Sequence, residues 1–471
     1  MRAYLLMQWL LRTATQVFFR RIEVVGRENI PTQSEGAVIF CGNHPNSLID
    51  PVMITAYCGR VIHFAAKDVL FKHRILRFFL TLMGAVPIRR RTDHKQANAN
   101  TLDNQNAFDA LHQVLGDGHA IGIFPEGLSH DDSQLAPLKT GAARIALGAK
   151  QAHPKTRIFL VPTGLCYFRR SRFRSSVLVQ FGEPREVNLN EDPVAIETNK
   201  RSDNINRKYV RRLTDDIEAH LRALTINADS WETIWVLDGV RRLYQPVDIS
   251  LEERVELSRR FNHVYPDVAD DPQIKSLYRQ VRRYLVRLSA AGINDDALRE
   301  PVRVRNVILR ITGHTLLLLG ALPLAILGAP IHLPLLFLFR VAGKYFAPRS
   351  DVVATTKFLV GFITINLVYL VLIMTTWWRL NVFWAILIAI IFPLSGRAVL
   401  HVISRADALR NIFLTSFRIL RFRHEVEALR CERKKLAAAV NAAVETFRPA
   451  DMPALFSSPS EIVSASKDEQ E

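Results

Sequence analysis

Three stretches without a single Lys, Arg, Asp or Glu constrain the fold of this chain most: residues 311–339, 358–378 and 380–396. An apolar helix of about 20 residues crosses a hydrocarbon core of about 30 Å. The second stretch is long enough to do so. The first stretch is too long for one straight crossing and contains three prolines, so we expect two short helices or a re-entrant hairpin there.

Positive charges at the ends of these stretches indicate the membrane topology, because Lys and Arg are retained on the cytoplasmic side. Two hairpins within residues 306–400 would keep every basic cluster cytoplasmic and leave Arg379 alone facing outward. A single crossing by the first stretch would put one cluster on the wrong side, so we rank it second. The clusters are Arg303, Arg305 and Arg310; Arg340, Lys344 and Arg349; and the segment 401–435.

Four further segments have a composition of their own. Residues 1–21 combine apolar and aromatic side chains with arginines, which predicts a helix in the membrane interface or, equally, an ordinary packing helix. Residues 191–305 are polar and helical, a helical insertion or linker to which we assign no chemistry. Residues 401–448 predict a basic helix on an anionic leaflet or, equally, an ordinary solvated or coiled helix. The Ser-, Pro- and acid-rich segment 449–471 is predicted to be disordered.

Between residues 22 and 190, short apolar runs alternate with helical stretches at 102–117 and 138–151. This alternation is typical of an α/β fold, here a mixed sheet flanked by helices and followed by the helical region and C-terminal transmembrane helices. The last two strands are close enough in sequence to form a pair. The predicted strands are 22–25, 37–41, 61–65, 120–124, 158–165 and 177–181.

The segment AVIFCGNHPNSLIDP is a strand, a turn and a helix start, which is where α/β domains commonly present reactive groups. It contains His44 and Asp50. A histidine can remove a proton from an alcohol at neutral pH, and a carboxylate on its other ring nitrogen fixes the tautomer. Taken alone, the pair is also common in structural turns.

Two later motifs carry further polar groups: GAVPIRRR at residues 84–91 and IGIFPEGLSH at residues 121–130. The planar fork of arginine suits a phosphate, and backbone N–H groups around Gly127 add donors. Glu126 is expected to hold an arginine or the substrate hydroxyls. Each residue could also have a purely structural role. The arginines could form a solvated face, and Glu126 could be a turn residue.

Taken in order, NHPNSLIDP, GAVPIRR, FPEGLSH and FLVPTGL resemble the four motifs of the phospholipid/glycerol acyltransferase (PlsC-like) family, over about residues 20–190. The resemblance implies that His44 is the general base on an acceptor hydroxyl and that Asp50 orients it. The acceptor oxygen would attack the thioester of acyl-CoA or acyl-carrier protein directly. No acyl-enzyme is then formed, and no cofactor is needed beyond this co-substrate.

Carried over by position, the resemblance also implies a set of substrate-binding residues. Arg90, Glu126 and Gly127 resemble the glycerol-phosphate site, and Pro162 resembles part of the acyl-donor side. Lys139 is a weaker candidate. The full set is Asn46, Arg90, Glu126, Gly127, Ser129, Lys139 and Pro162. The four cysteines are scattered singly, so we expect no metal site.

One departure concerns spacing, because five residues separate His44 from Asp50 where the family most often has four. An extra residue turns a helix by about 100°, so the turn before the helix must absorb it. The Asn after His-Pro, the Asp-Pro pair and DVVATTK (351–357) resemble the glycerol-3-phosphate/dihydroxyacetone-phosphate branch of the family. This favours glycerol 3-phosphate over lysophosphatidic acid as the acceptor.

We expect an integral membrane enzyme whose catalytic domain faces the cytoplasm, at the inner membrane in a bacterium. Two other function classes are alternatives to this enzyme. The first is a non-catalytic, membrane-bound lipid-binding protein that keeps the fold. The second is a nucleic-acid-binding protein, which rests only on the net charge of +17. We expect no nucleic acid, because the basic residues adjoin apolar stretches and indicate anionic lipids as partners. The oligomeric state stays open.

Overall fold

The structure is a computed structural model that divides into two compact units. The first unit comprises Met1–Asn227 and Gly343–Phe358, and the second comprises Ala228–Ala342 and Leu359–Glu471. Within them, the structure describes residues 2–72, 74, 77, 80–81, 83–89, 105–188, 202–299, 304–347 and 349–453.

The first unit is built on one mixed, eight-stranded sheet. Its strands are β1 (Arg21–Val25), β2 (Ala37–Gly42), β3 (Ile62–Lys67), β4 (Val86–Ile88), β5 (Ala120–Ile123), β6 (Ile158–Phe168), β7 (Ser176–Phe181) and β8 (Arg185–Glu186). The order is β1-β7-β6-β2-β5-β3-β4, with β8 also on β6. Neighbours are parallel, except that β6 is antiparallel to β7 and β8. All six predicted strands are present, the late pair β6–β7 is confirmed, and β4 and β8 are additional.

Helices cover the sheet on both faces. These are α1 (Arg2–Phe18), α2 (Ile49–Tyr57), α3 (Gln105–Gly116), α4 (Gly141–Ala152) and α5 (Ser202–Leu224). One apolar cluster joins α1 and α2 to the sheet, and another joins α3, α4 and α5 to it. Every residue of β2 is buried, as expected for a central parallel strand with a core on each side. The α/β prediction is confirmed.

The first unit extends past the predicted boundary at residue 190. Helix α5 is polar overall, yet it buries Leu213, Ile217 and Leu221 against the sheet. The spacing of four places these side chains on one face of the helix. Residues 202–224 therefore belong to the sheet unit, and the predicted boundary of the helical region at residue 191 is wrong for this helix.

Helix α1 packs against the sheet unit, and its membrane-interface role stays a prediction. Tyr4, Leu11 and Phe18 are buried in the unit, and the Tyr4 hydroxyl accepts a hydrogen bond of 2.9 Å from the Ile62 N–H. On its other side Trp9 is 61% exposed, with leucines beside it. The helix is thus a packing helix with a second apolar face.

The remaining helices are α6 (Trp231–Tyr244), α7 (Leu251–Val268), α8 (Pro272–Ala291), α9 (Asp296–Arg299), α10 (Val304–Tyr345), α11 (Val353–Arg379), α12 (Val382–Arg421) and α13 (Arg423–Phe447). In the second unit, α6, α8 and α13 share an apolar cluster. Helix α13 contributes Val426, Leu429 and Leu436, which are buried there. The basic segment from residue 401 is therefore two helices, and the second of them packs one face in a protein core, while its place on a leaflet stays a prediction.

Helices α10, α11 and α12 are long and apolar enough to cross a membrane. Helix α10 runs unbroken through Pro323, Pro330 and Pro334, so the predicted break in residues 311–339 is wrong. Each proline removes one helical N–H donor, and apolar surroundings favour keeping all the other backbone bonds. The predicted disordered tail lies outside the described residues from position 454 onward.

Candidate active site

The candidate catalytic residues lie at the carboxyl end of β2, at the centre of the sheet. The strand ends at Gly42, and α2 begins at Ile49. Between them, the Asn43 side chain donates to the Leu165 carbonyl at 3.1 Å and accepts from the Leu165 N–H at 2.7 Å. This paired contact ties the start of the turn to the neighbouring strand β6.

The turn before α2 absorbs the extra residue between His44 and Asp50. Ser47 has φ 51°, a left-handed conformation that is uncommon outside glycine. The N–H groups of Ile49 and Asp50 bond at 3.2 Å to the carbonyls of Asn46 and Ser47. The chain doubles back, and the Asp50 Oδ2 comes to 2.9 Å from the His44 Nδ1.

The Asp50 carboxylate is fully buried and has three donors. Its Oδ2 accepts from the His44 ring and, at 2.7 Å, from the Asn46 N–H, while its Oδ1 accepts from the Tyr167 hydroxyl at 2.7 Å. Burial raises the pKa of Asp50, and these hydrogen bonds oppose the rise. Sequence reasoning missed Tyr167, which lies 117 residues away and carries no motif signal.

The His44 ring is held in one orientation. Its Nδ1 faces Asp50, and its plane stacks on Phe124 with centroids 4.2 Å apart and 11° between the planes. The side chain is 18% exposed. In the part of the chain that the structure describes, no group hydrogen-bonds Nε2. The ring can therefore present Nε2 to a substrate hydroxyl.

Glu126 fixes the backbone of the His44 turn. It is 2% exposed, and its Oε1 accepts the His44 N–H at 2.7 Å. Its Oε2 accepts the Ala136 N–H at 2.9 Å and contacts the His130 ring. Among the described residues these oxygens therefore contact backbone amides and a histidine, and the expected role with an arginine or substrate hydroxyls stays a prediction.

Gly127 and Lys139 are adjacent in space. Gly127 has φ +71°, and a Cβ there would lie 2.7 Å from the Lys139 Nζ. The Lys139 N–H donates to the Pro125 carbonyl at 2.8 Å. Only glycine suits this turn without strain, and the exposed ammonium of Lys139 lies directly over it.

Residues 349–355, which are distant in sequence, contact the site near Ser129 and Asn46. The Ser129 hydroxyl donates to the Asp351 Oδ2 at 2.5 Å, and Arg349 donates to both residues, at 3.1 and 2.7 Å respectively. The Thr355 hydroxyl donates to the Asn46 carbonyl at 3.0 Å. The sequence marked DVVATTK only as a feature of a family branch, and its place beside the site was not predicted.

The other predicted substrate residues have different surroundings. Asn46 is fully buried, and its side-chain amide has no hydrogen-bond partner among the described residues. Pro162 is buried within the sheet, opposite Cys41. Arg90 lies outside the described residues. Within the described ranges, no cluster of His, Cys, Asp and Glu is arranged to hold a metal ion.

We expect replacement of His130 by asparagine to destabilise the unit in a pH-dependent way. The bond to Glu126 raises the pKa of His130, Asp132 adds to the rise, and burial and Arg170 oppose it. A raised folded-state pKa gives stabilisation that is full below about 6.5 and is lost as the pH rises through the folded value. Thermal unfolding in detergent should show a cost of about 1.5 kcal/mol at pH 6 and less at pH 9.

The exposed His220 on α5 provides the matched control. Replacement of His220 by asparagine should cost little at either pH. A cost for the His130 variant that is equal at pH 6 and pH 9 would contradict the ion pair with Glu126.

Two family models match separate parts of this chain. Residues 6–165, which contain His44, Asp50 and Glu126, match the Acyltransferase family model. Residues 236–452 match the glycerol-3-phosphate acyltransferase 2 C-terminal domain. Residues 6–165 therefore form a domain of the Acyltransferase family. The first match confirms the sequence resemblance, and the second match covers most of the second unit.

Relatives of this chain include two proteins of Saccharomyces cerevisiae. Glycerol-3-phosphate O-acyltransferase 2 is 26% identical over 75% of this chain and 62% of its own length. Glycerol-3-phosphate O-acyltransferase 1 is 29% identical over 62% of this chain and 38% of its own length. The chain thus spans less than two thirds of either relative. A solved lysophosphatidic acid acyltransferase, PlsC from Thermotoga maritima, is 19% identical over 46% of this chain and 80% of its own, with a TM-score of 0.30.

Proposed function

We propose that this chain transfers a fatty acyl group from an acyl thioester, acyl-CoA or acyl-carrier protein, to glycerol 3-phosphate. The observation that carries the proposal is the 2.9 Å contact between the His44 Nδ1 and the buried Asp50. That contact leaves Nε2 as the basic nitrogen, at the carboxyl end of a central strand. The yeast relatives are named glycerol-3-phosphate O-acyltransferases, which supports the choice of acceptor.

The reaction needs one proton transfer in each direction. The His44 Nε2 takes the proton of the acceptor hydroxyl as the oxygen attacks the thioester carbonyl carbon. A C–O bond forms and the C–S bond breaks, and the imidazolium returns the proton to the leaving thiolate. Asp50 stabilises the imidazolium between these steps. The cysteines take no part, since no acyl-enzyme forms.

Cationic side chains near Ser129 and Gly127 suit the phosphate of the acceptor. The side chain of Arg349 is 54% exposed while it bonds Ser129, and Lys139 lies over Gly127. Arg170 instead donates to the carbonyls of Pro45 and His130, which holds the turn. We therefore assign the phosphate to Arg349 and Lys139, together with the predicted Arg90.

We place the catalytic unit on the cytoplasmic face of a membrane, with anionic lipids as its partners. The three apolar helices associate the chain with a membrane. Basic residues border them, and such residues are retained on the cytoplasmic side and attract anionic headgroups.

A turnover assay across acceptors tests this function. With a long-chain acyl-CoA, the purified protein should release free CoA at least about tenfold faster with glycerol 3-phosphate than with lysophosphatidic acid. The reason is that lysophosphatidic acid brings an acyl chain of its own, which the site must accommodate beside the chain of the donor. Dihydroxyacetone phosphate is the third arm. A preference for lysophosphatidic acid would reassign the acceptor. If no free CoA is released with any of the three acceptors, the alternative of a non-catalytic lipid-binding protein is favoured.

A further inference from the structure

An open pocket of about 430 Å³ lies between α1, α2 and β1 in the first unit. Three arginines line it: Arg12 on α1, Arg20 between α1 and β1, and Arg27 just after β1. No Asp or Glu lines the pocket, and among the residues that the structure describes none of these three guanidinium groups forms an ion pair. Pockets that hold small ligands span about 300–1,000 Å³. This α1–β1 pocket therefore has the size of a ligand site and an excess of positive charge.

The groups around the pocket leave this charge uncompensated. Successive side chains of a strand point to opposite faces, so Glu23 lies on the face of β1 away from the pocket, where it pairs with Arg21 at 3.0 Å. Burial lowers the pKa of Arg174, and the neighbouring Arg20 adds to the fall. Like charges at this spacing repel one another, and an anion bound between them would be stabilised by charge-assisted hydrogen bonds.

The pocket lies close to the point where an apolar helix loses its charged residues. Phe18, at the end of α1, packs edge to face on Phe358 at 5.7 Å. Helix α11 has no charged residue over positions 358–378, and Lys357 is the last charge before that stretch. Phe19, next to Phe18 in the chain, lines the pocket. If α11 crosses a bilayer, the pocket is therefore at the depth of the lipid headgroups.

The exposed side of α1 changes from apolar to cationic along the helix. Its side chains follow one another at spacings of three or four residues, which places them on one side: Leu5, Trp9, Arg12 and Gln16. Leu5 and Trp9 are 49% and 61% exposed, whereas Arg12 and Gln16 line the pocket. Leucine and tryptophan enter the membrane interface, and arginines at its surface meet phosphate. This order favours a membrane phospholipid over a soluble anion as the ligand.

We propose that the α1–β1 pocket binds the phosphate of an anionic membrane phospholipid, with the guanidinium groups of Arg12, Arg20 and Arg27 as hydrogen-bond donors. The Arg12 guanidinium lies 5.5 Å from the centre of the Tyr57 ring, and such planar groups suit phosphate oxygens. A phosphate bound there would seat the sheet unit on the bilayer. The inference rests on the proposed placement of this unit beside a membrane and goes beyond the acyl transfer.

Native mass spectrometry of the full chain in detergent, titrated with phosphatidylglycerol, tests the proposal. Arg12→Gln, Arg20→Gln and Arg27→Gln together should raise the Kd of the most tightly bound phosphatidylglycerol by about tenfold or more. The reason is that each arginine near an anionic lipid contributes about fivefold in affinity. Phosphatidylcholine, which has no net charge, should bind equally to wild type and variant.

Two controls accompany this variant. Arg211→Gln, Arg279→Gln and Arg283→Gln together remove the same charge from exposed positions on α5 and α8, and should leave the Kd unchanged. His44→Ala should bind phosphatidylglycerol as wild type does. A failure of acyl transfer and a failure of this lipid site are therefore distinguishable.

Hydrogen–deuterium exchange locates the bound lipid. Backbone exchange within residues 12–27 should be slower in phosphatidylglycerol nanodiscs than in phosphatidylcholine nanodiscs, and the variant without the three arginines should lose this difference. If that variant does not fold, Arg20→Gln alone decides, because its side chain is exposed. Its Kd should rise by about fivefold.

Three results would overturn the proposal. The first is an equal rise in Kd for the pocket variant and for the control variant on α5 and α8. The second is slower exchange that appears only outside residues 12–27. The third is displacement of phosphatidylglycerol by inorganic phosphate at equal concentration, which would assign the pocket to a free anion.

Discussion

Replacement of His44 by alanine should reduce acyl transfer by about 10³-fold or more, because general base catalysis contributes about 10²–10⁴-fold. Among the residues that the structure describes, no neighbouring side chain can substitute at the same position. Glu126 is occupied by backbone N–H groups and His130, and Asp50 is buried behind the ring. The measurement is the release of free CoA with glycerol 3-phosphate as acceptor.

The control is His220→Ala, an exposed histidine on α5, which should keep full turnover. Circular dichroism should show both variants folded. Turnover close to wild type in a folded His44→Ala protein would exclude His44 as the base and remove the mechanism.

Replacement of Asp50 by asparagine should reduce turnover by about 10²–10⁴-fold, with a smaller effect on the KM for the acceptor. An amide oxygen in place of Oδ2 keeps the bonds from the His44 ring and the Asn46 N–H. The side-chain NH2 then turns to the Tyr167 hydroxyl. Geometry is largely retained, but the negative charge that stabilises the imidazolium is lost.

Tyr167→Phe separates charge from geometry. It removes only the 2.7 Å bond to the Asp50 Oδ1 and leaves the carboxylate in place. We expect a loss of about tenfold, since one hydrogen bond to a charged group is removed. Equal losses in Asp50→Asn and Tyr167→Phe would mean that Asp50 acts by packing rather than by charge.

Local patterns predicted the parts of the fold that depend on neighbouring residues. The strands were predictable because buried parallel strands have continuous apolar runs, as in β2. The contact between His44 and Asp50 was predictable because both residues lie in or next to the single turn between β2 and α2. Helix α5 was misassigned on its polar composition, although Leu213, Ile217 and Leu221 lie at helical spacing in the sequence.

Contacts between distant parts of the chain were out of reach. The bond from Ser129 to Asp351 spans 222 residues, and no spacing rule links them. Tyr167 reaches Asp50 only because β6 lies beside β2. We expected a break in α10 because proline inside a helix usually ends it. That rule holds better in water than in hydrocarbon, where an unpaired backbone group costs more free energy.

The catalytic unit is built from two separate segments of the chain, Met1–Asn227 and Gly343–Phe358, and this constrains the path of the chain. Thr355 and Asp351 bond to Asn46 and Ser129, so the segment 343–358 is on the same side of the bilayer as the strands. The polypeptide leaves this unit at residue 227 and re-enters it at residue 343. If the chain spans a bilayer, residues 228–342 must therefore cross it an even number of times, and the three long apolar helices cannot all be judged one by one.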